Sequence, residues 1–382
     1  MLGAEDYGAF TSMVALAGIF APFSSLGTEI TLIKNTSRDC TKFSAYWGNA
    51  LLVTLTLGLI ITIAIFFLSR FLLTEKVSPI STSLIFLSEL ISLKVMTISG
   101  NAFMAIERLS RTAQIEFMMS AKNLTALLVL LVFLQTPTLN DWVGMYTASS
   151  LLFAGLAAAL VYQTFGRPRL HLPYLRQEFR EGLYFAVNHS AQTVFGEVDK
   201  TMLARFSTLQ ATGIYAAAYK LILVAFVPIQ ALLATTYSRF FHHGAVGLSE
   251  TAKFAKKLVP YSLGYGIAAC LGLVLIAPFL PLLLGDAYLD VTGALRWLAP
   301  MLIFRATLYF AGDTLTGAGF QGTRTLVQVI FAVFNICLNL YLIPIYSWKG
   351  AAWATLASEL LMLLSLWLII AVLLKRQPRA KT

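Results

Sequence analysis

The chain has 382 residues, of which 58% are hydrophobic and 12% are charged, and its mean hydropathy is +0.76. About 25% of the residues in a soluble domain are charged, so this composition excludes a soluble globular protein and indicates an integral membrane protein. The net charge of +10 would suit a nucleic-acid surface, but the basic residues lie in the connectors between apolar segments. We therefore expect no nucleic-acid partner.

Eleven apolar segments of about 20 residues or more follow one another along the chain, separated by short polar connectors. Segments of this length predict transmembrane α-helices, because barrel strands are about ten residues long and alternate in hydrophobicity. We therefore predict an all-α integral membrane protein. The expected spans are 7–33, 43–69, 79–106, 113–134, 142–164, 182–206, 213–238, 258–281, 292–317, 325–345 and 350–374.

Basic residues divide the connectors into two classes. One class, together with the C-terminal tail, contains 18 Lys and Arg residues, and the opposite class contains five. Connectors rich in Lys and Arg lie in the cytoplasm. The C-terminus is therefore expected inside and, with eleven spans, the N-terminus outside. The basic class comprises 34–42, 107–112, 165–181, 239–257, Arg324 and the tail from Lys375.

The two halves of the chain carry similar segments in the same order, which predicts an internal repeat. The sequence "EDYGAF" at 5–10 precedes a span containing Pro22, and "QATGIY" at 210–215 precedes a span containing Pro228. The other matched pairs are "DWVG" at 141–144 with "SWKG" at 347–350, and Asn123 with Asn335.

This alignment pairs spans one to five with spans seven to eleven, and it leaves the span at 182–206 without a counterpart. We expect a plan of six plus six spans that lacks its first helix, with an apolar helix encoded upstream of Met1. The predicted division is an N-terminal bundle of five spans at 1–164, a basic cytoplasmic linker at 165–181, and a C-terminal bundle of six spans with a cytoplasmic tail at 182–382.

Several segments resemble the Wzx-type oligosaccharide flippases, which are polysaccharide-biosynthesis proteins of the multidrug/oligosaccharidyl-lipid/polysaccharide (MOP) superfamily. The opening "LGAEDYG" at 2–8 is similar to the segment after the first helix in that family. The resemblance extends over nearly the whole chain and implies a MATE-like fold of two helical bundles. Its other elements are "SLG" at 25–27 before a basic stretch, Asp199-Lys200 with Leu203, "GIY" at 213–215 and "GAAWAT" at 350–355.

The resemblance also implies a function. A protein of this family would move a polyprenyl-diphosphate-linked oligosaccharide across the cytoplasmic (inner) membrane, for a surface polysaccharide such as O-antigen, capsule or exopolysaccharide. The implied partners are this lipid-linked substrate, membrane lipids, a polysaccharide polymerase, a chain-length regulator and a coupling ion, H⁺ or Na⁺. The alternative within the superfamily is a cation-coupled exporter of small molecules, which an acidic cluster in the N-terminal half would favour.

The sequence contains no motif for catalysis, nucleotide binding or a cofactor. A Walker loop, a Gly-rich strand-to-helix turn and an HExxH helix are all missing, and neither the Cys nor the His residues have metal-ligand spacing. A membrane glycosyltransferase or ligase would need a large outer loop with catalytic residues, whereas the longest connectors here are on the predicted cytoplasmic side. We therefore expect a transporter rather than an enzyme.

Ionisable residues inside the spans are the candidate substrate-binding residues. A charge at the centre of a membrane helix costs about 2.5–3.5 kcal/mol on insertion scales, so such groups face a bundle interior or a water-filled cavity. The basic members would attract a lipid diphosphate or an acidic sugar. The alternative is that these charges tie helices together. The candidates are Glu89, Lys94, Asp199, Lys200, Lys220, Arg305, Asp313 and Glu359.

Two further expectations concern geometry. Glu89 and Lys94 are five residues apart, about 140° around a helix, so each is expected to find its partner on another helix. Pro22 and Pro228 occupy matching places in the two halves, where proline kinks would suit a hinge. Alternatively, neighbouring helices merely tolerate these prolines.

The distribution of basic residues predicts the topology of the connectors. Fusions to a reporter that is active only outside the cytoplasm should be active after Lys76, near Asp141 and near Asp286. Fusions within 165–181 and after Lys375 should be inactive, because those connectors are rich in Lys and Arg. An inactive fusion near Asp141 would contradict the predicted number of spans.

Overall fold

The computed structural model describes residues 3–37, 39–73, 77–133 and 137–376. Regular structure in these residues is helical throughout. Four basic residues used in the topology argument, Arg38, Lys76, Arg379 and Lys381, lie outside the described residues.

The helices follow the predicted spans closely. In the described residues they are α1 (Ala4–Ser25), α2 (Thr28–Thr36), α3 (Phe43–Leu72), α4 (Pro79–Leu87), α5 (Leu93–Met104), α6 (Leu109–Phe133), α7 (Leu139–Phe165), α8 (Leu172–Phe206), α9 (Leu209–Gly244), α10 (Leu248–Ile276), α11 (Leu280–Leu284), α12 (Val291–Leu298), α13 (Met301–Gly317), α14 (Gln321–Tyr346) and α15 (Trp348–Arg376). A π-helical turn, Ser88–Ser92, joins α4 to α5.

Nine helical stretches in the described residues are long and apolar enough to cross a membrane. The predicted spans at 182–206 and 292–317 coincide with α8 and with α12 plus α13, which are helical but not among these nine. The prediction of an all-α protein with many spans is confirmed. The exposed face of α3 is apolar, as a membrane helix requires: Leu55, Leu59 and Ile63 recur at helical spacing and are about half exposed.

The first predicted span is not one continuous helix. Leu26 (φ 48°) and Gly27 (φ 67°) are both left-handed, and they separate α1 from α2. A leucine at positive φ is unusual, and Gly27 packs so closely on Gly182 of α8 that a Cβ atom would lie 2.6 Å from its carbonyl oxygen. The predicted span at 7–33 therefore consists of two helices, and the break between them begins four residues beyond Pro22.

The predicted linker at 165–181 is mostly helix, because α8 begins at Leu172. Asn49 of α3 holds the short non-helical part: its amide donates to the His171 carbonyl at 2.8 Å and accepts from the His171 N–H at 2.9 Å. Lys34 of α2 is paired with Glu178, at 3.8 Å, and with Glu181. These contacts fix the beginning of α8 against α2 and α3.

The chain forms two compact units. Unit 1 contains residues 9–205, and unit 2 contains Gly3–Gly8 and the chain from Phe206 onward. The contacts thus place α8 up to Arg205 with unit 1, whereas the repeat in the sequence grouped 182–206 with the C-terminal half. A sequence repeat reflects common descent, whereas contacts reflect packing. The contacts therefore do not test the repeat-based division, which stays a prediction.

The core of unit 1 lies between α2, α3, α5, α6 and α7. Trp47 of α3 and Phe103 of α5 are at most 1% exposed, and the ring of Phe43 stacks on that of Phe165 with centroids 4.1 Å apart. The buried face of α7 carries small residues such as Ala157. Lipid tails are as apolar as a protein interior, so small side chains that permit close packing are a main source of helix association in a membrane.

Unit 2 packs α9, α10, α13 and α15 around Phe240, Ala255 and Phe310, all of them 0% exposed. Trp367 of α15 lies against this cluster. Phe240 also makes an edge contact with Phe254, with the ring centroids 5.0 Å apart.

Two glycines at matching places of the repeat touch each other within unit 2. Gly8 lies in the first turns of α1 and Gly213 in those of α9. A Cβ atom at Gly8 would overlap the Leu209 carbonyl oxygen, and one at Gly213 would overlap the Ala4 carbonyl oxygen. The "EDYG" and "QATG" segments therefore both have glycine at this crossing, because there is no space for a side chain on either helix.

Replacing Gly8 with alanine should lower the unfolding temperature, because overpacking costs about 1–3 kcal/mol. Gly144 of α7 is the matched control, since no atom lies within 4 Å of its Cβ position. Gly144→Ala should be neutral or stabilising, by up to about 1 kcal/mol of helix propensity. Thermal unfolding of the purified proteins in detergent measures both. Equal unfolding temperatures for Gly8→Ala and Gly144→Ala would contradict the close crossing.

Candidate functional site

Lys94 and Glu29 form a buried ion pair between α5 and α2. The Lys94 ammonium lies 3.0 Å from Glu29 Oε1, and the two side chains are 10% and 11% exposed. Glu29 Oε2 is buried and, among the described residues, has no hydrogen-bond partner. His189 of α8 lies close enough to interact electrostatically with both charges.

Glu89 belongs to a second network in unit 1. It lies in the π-helical turn, and the Tyr146 hydroxyl of α7 donates to its carboxylate. The Lys122 ammonium of α6 donates to the Tyr146 hydroxyl at 2.9 Å and to Asn123 Oδ1 at 3.2 Å, and it lies 4.1 Å from the Tyr146 ring centre. Tyr146 of α7 thus connects Glu89 in the π-helical turn with Lys122 of α6.

These two networks confirm the geometric prediction for Glu89 and Lys94. The residues do not contact each other, and each is bonded to a residue of another helix. The π-helical turn, which sequence patterns did not reveal, contains Glu89 and ends two residues before Lys94. Such turns are frequent at functional sites.

Asp199 and Lys200 are buried near the C-terminal end of α8, at 2% and 6% exposure. The Lys200 ammonium is paired with Glu197 at 2.7 Å, one turn earlier, and donates to the Gly196 carbonyl at 3.2 Å. Asp199 accepts the backbone N–H of Lys200 at 2.8 Å. The structure therefore places these two candidates together with a third ionisable residue on the same helix.

Arg305 and Glu359 form a deeply buried ion pair in unit 2. Arg305 Nε lies 2.8 Å from Glu359 Oε1, with side-chain exposures of 7% and 1%. The same guanidinium donates to the Tyr219 hydroxyl at 2.9 Å and lies 5.6 Å from the Tyr219 ring centre. This arrangement joins α13, α15 and α9.

Asp313 is paired with Arg324 across the turn between α13 and α14. Arg324 Nη1 lies 3.1 Å from Asp313 Oδ1 and 2.9 Å from Thr316 Oγ1. The guanidinium covers Gly312, where a Cβ atom would lie 2.9 Å from Arg324 Nε. Arg324, which was counted only as a basic connector residue, is therefore part of a helix-to-helix tie.

Lys220 differs from the other candidates. It lies in the apolar helix α9 but is exposed, and no ion pair is found for it among the described residues. The preceding residue, Tyr219, takes the inward position at 4% exposure, so Lys220 lies on the exposed side of α9. Pro22 and Pro228 lie inside α1 and α9, and their role as hinges stays a prediction.

Several polar residues of these networks were not among the sequence-based candidates. Tyr146 and Tyr219 resemble ordinary aromatic residues of a span, so no sequence signal marked them. Asn335 and Asn339 of α14 were detectable from their spacing: Asn339 Nδ2 donates to Asn335 Oδ1 at 2.9 Å, and both residues are buried. Glu29 was visible as an acidic residue in a span but was expected near its end.

Comparisons with known proteins agree on the type of protein. A family model described as "Polysaccharide biosynthesis protein" matches residues 1–240. No curated protein sequence matches the chain.

Solved structures with the same fold include transporters of the MOP superfamily. An inward-facing multidrug resistance MATE transporter superposes with a TM-score of 0.75 at 15% identity, covering 98% of this chain and 93% of that one. The lipid II flippase MurJ, in an inward closed conformation, gives 0.70 at 12% identity, with coverages of 96% and 86%. A MOP transporter from Pyrococcus furiosus gives 0.63 at 14% identity, with coverages of 95% and 86%.

The Tyr146 network predicts a measurable contribution to stability. Tyr146→Phe removes the hydroxyl that bonds both Glu89 and Lys122, and leaving buried polar groups without a partner costs about 1–3 kcal/mol. Tyr261→Phe is the control, because Tyr261 is 77% exposed. Thermal unfolding should show a lower midpoint for Tyr146→Phe alone. Equal midpoints for the two variants would contradict the network.

Proposed function

The chain belongs to the polysaccharide biosynthesis protein family, and on this basis we propose that it moves a polyprenyl-diphosphate-linked oligosaccharide across the cytoplasmic membrane. Family and fold support the coarser statement, that it is a multi-pass membrane flippase or exporter of the MOP superfamily. The lipid-linked substrate is the proposal. The similarity to a flippase named for lipid II supports it.

Lys220 is the observation that carries the proposal. An ammonium group on an apolar span is costly in lipid, so it faces a water-filled path or a charged ligand. Lys94, Lys200 and Arg305 are each paired with a carboxylate. Lys220 has no ion pair in the part of the chain that the structure describes, and it is exposed. It is therefore suited to attract the diphosphate of a lipid-linked sugar.

The alternative of a cation-coupled exporter of small molecules is favoured by the similarity to MATE transporters. An acidic cluster in the N-terminal half would have strengthened it. The acidic residues of unit 1 instead lie beside cations: Glu29 beside Lys94, and Glu197 beside Lys200. These two carboxylates already have cationic partners and are therefore poor sites for a cationic drug, so we favour the anionic substrate.

The remaining parts of the proposal follow from the substrate. We place the protein in the cell membrane with its C-terminus in the cytoplasm, as the basic connectors indicate. A polymerase and a chain-length regulator would use the flipped product outside. A coupling ion, H⁺ or Na⁺, would drive the cycle.

The experiment is export of a surface glycan in cells that lack their own flippase. Expression of this chain should restore the glycan. Lys220→Gln should reduce export at least about tenfold, which corresponds to about 1.4 kcal/mol of lost attraction, and Lys220→Arg should retain most of it. Lys253→Gln is the control, since Lys253 forms only an exposed pair with Glu250 at 2.7 Å.

The amount of protein in the membrane is measured for every variant. Wild-type export by Lys220→Gln would contradict a role for this cation. Failure of the unchanged chain to restore any glycan, together with energy-dependent efflux of small cations, would favour the exporter.

A further inference from the structure

The connector between α10 and α12 forms an open cavity on the surface of unit 2. Its volume of about 720 Å³ falls within the range of about 300–1,000 Å³ that is usual for small-molecule sites. Its walls are mostly apolar and include Pro278, Leu282 and Leu289, and its charged groups are Asp286 and Arg296. The distribution of basic residues predicts that this connector lies on the outer side of the membrane.

The backbone of this connector is held by its own contacts. Thr292 Oγ1 donates to the Ala277 carbonyl at 2.9 Å, and the Gly285 N–H donates to the Pro281 carbonyl at 2.7 Å. Gly285 has a φ of 92°, a conformation that favours glycine. Tyr288 is buried beneath the connector at 6% exposure. These contacts fix the walls of the cavity.

Large apolar side chains around the cavity are exposed. Phe279, Leu282, Leu283 and Leu289 are between 61% and 82% exposed. An exposed apolar patch of this kind marks a surface that a partner or a membrane covers. The connector lies between the predicted spans at 258–281 and 292–317, which places it at the membrane boundary. Lipid is therefore the neighbour that covers these side chains.

Two opposite charges share this cavity without neutralising each other. Asp286 and Arg296 are both exposed, and no ion pair is found for either of them among the residues that the structure describes. A guanidinium binds a phosphate through two parallel hydrogen bonds, and a carboxylate binds an ammonium group. A ligand with a single charge would be attracted by one group and repelled by the other. A zwitterion that carries a phosphate and an amine complements both.

We propose that this cavity binds the headgroup of phosphatidylethanolamine, with the phosphate at Arg296 and the ammonium at Asp286. The acyl chains extend along the exposed Leu282 and Leu289. Phosphatidylglycerol has the phosphate but no cation for Asp286, and the ammonium of phosphatidylcholine has no N–H to donate. The site concerns a lipid of the membrane rather than the transported molecule, so it does not depend on the proposed glycan substrate.

Native mass spectrometry of the purified full chain tests this preference without any variant. The chain is equilibrated in detergent with equal amounts of phosphatidylethanolamine and phosphatidylglycerol that have identical acyl chains, and the bound lipids are identified by mass. The chain should retain more phosphatidylethanolamine than phosphatidylglycerol, and more of it than of phosphatidylcholine in a second mixture. Equal retention, or a preference for either of the other lipids, would overturn the proposal.

Two substitutions assign the preference to the cavity. Asp286→Asn should lower the ratio of bound phosphatidylethanolamine to phosphatidylglycerol about threefold, the effect of losing one exposed ion pair. Arg296→Gln should lower the retention of both lipids, because both carry the phosphate, and Arg296→Lys should keep most of it. An unchanged ratio in Asp286→Asn, or unchanged retention in Arg296→Gln, would contradict the assigned contacts.

Matched controls separate the cavity from the general charge of the outer surface. Asp290 is an exposed acid in the same connector that does not line the cavity. Lys349 is an exposed base of another outer connector and lies 5.6 Å from the Trp348 ring centre. Asp290→Asn and Lys349→Gln should retain lipids as the unaltered chain does, and thermal unfolding establishes that each variant is folded. Effects as large as those of the cavity variants would overturn the proposal.

Discussion

An ionised side chain inside a membrane needs a partner of opposite charge, and this constraint shapes both units of the protein. Lys94 is paired with Glu29, and Arg305 with Glu359. In each case the partners belong to different helices, so the pair specifies which helix faces bury each other. Apolar packing alone specifies less in a bilayer, since lipid and protein interior are similarly apolar. Tyrosines extend this specification, because the Tyr146 hydroxyl bonds both Glu89 and Lys122, and the Tyr219 hydroxyl accepts from Arg305.

The same constraint distinguishes structural charges from functional ones. A charge that is already paired and hydrogen-bonded has little attraction left for a substrate, as for the Arg305 guanidinium, which bonds Glu359 and Tyr219. Lys220 departs from this pattern, because it is exposed and no ion pair is found for it in the described residues. An unpaired ammonium on an apolar helix is costly in lipid.

Composition and hydropathy were sufficient to predict the all-helical membrane fold, and each predicted span coincides with a helix or a helix pair. These predictions succeeded because hydrophobic length is a property of a single segment. The break at Leu26–Gly27 was not predictable in this way, since leucine gives no sign of a positive φ. The only sequence signal for the contact between the "EDYG" and "QATG" segments was a pair of matching glycines. The contact itself was not predictable, because the two glycines are far apart in the sequence.

The candidate site was predicted in residue type but not in arrangement. Sequence identified Glu89, Lys94, Arg305 and Glu359 as charges inside spans, and the helical angle predicted that Glu89 and Lys94 have separate partners. It could not choose those partners, because a partner on another helix depends on packing. Lys220 shows the limit most clearly, because it is adjacent to the buried Tyr219. When a segment is apolar on both faces, its sequence only weakly indicates which face of the helix is buried.

The central claim is that charges buried in the spans hold helices together in pairs. A double-mutant cycle on Arg305 and Glu359 tests it most directly, with the free energy of unfolding measured for Arg305→Met, Glu359→Met and the double variant. Removing one partner of a buried pair costs about 3–5 kcal/mol, whereas replacing both with apolar residues is often nearly neutral. The double variant should therefore be more stable than either single variant. A double variant whose cost equals the sum of the two single costs would contradict the account.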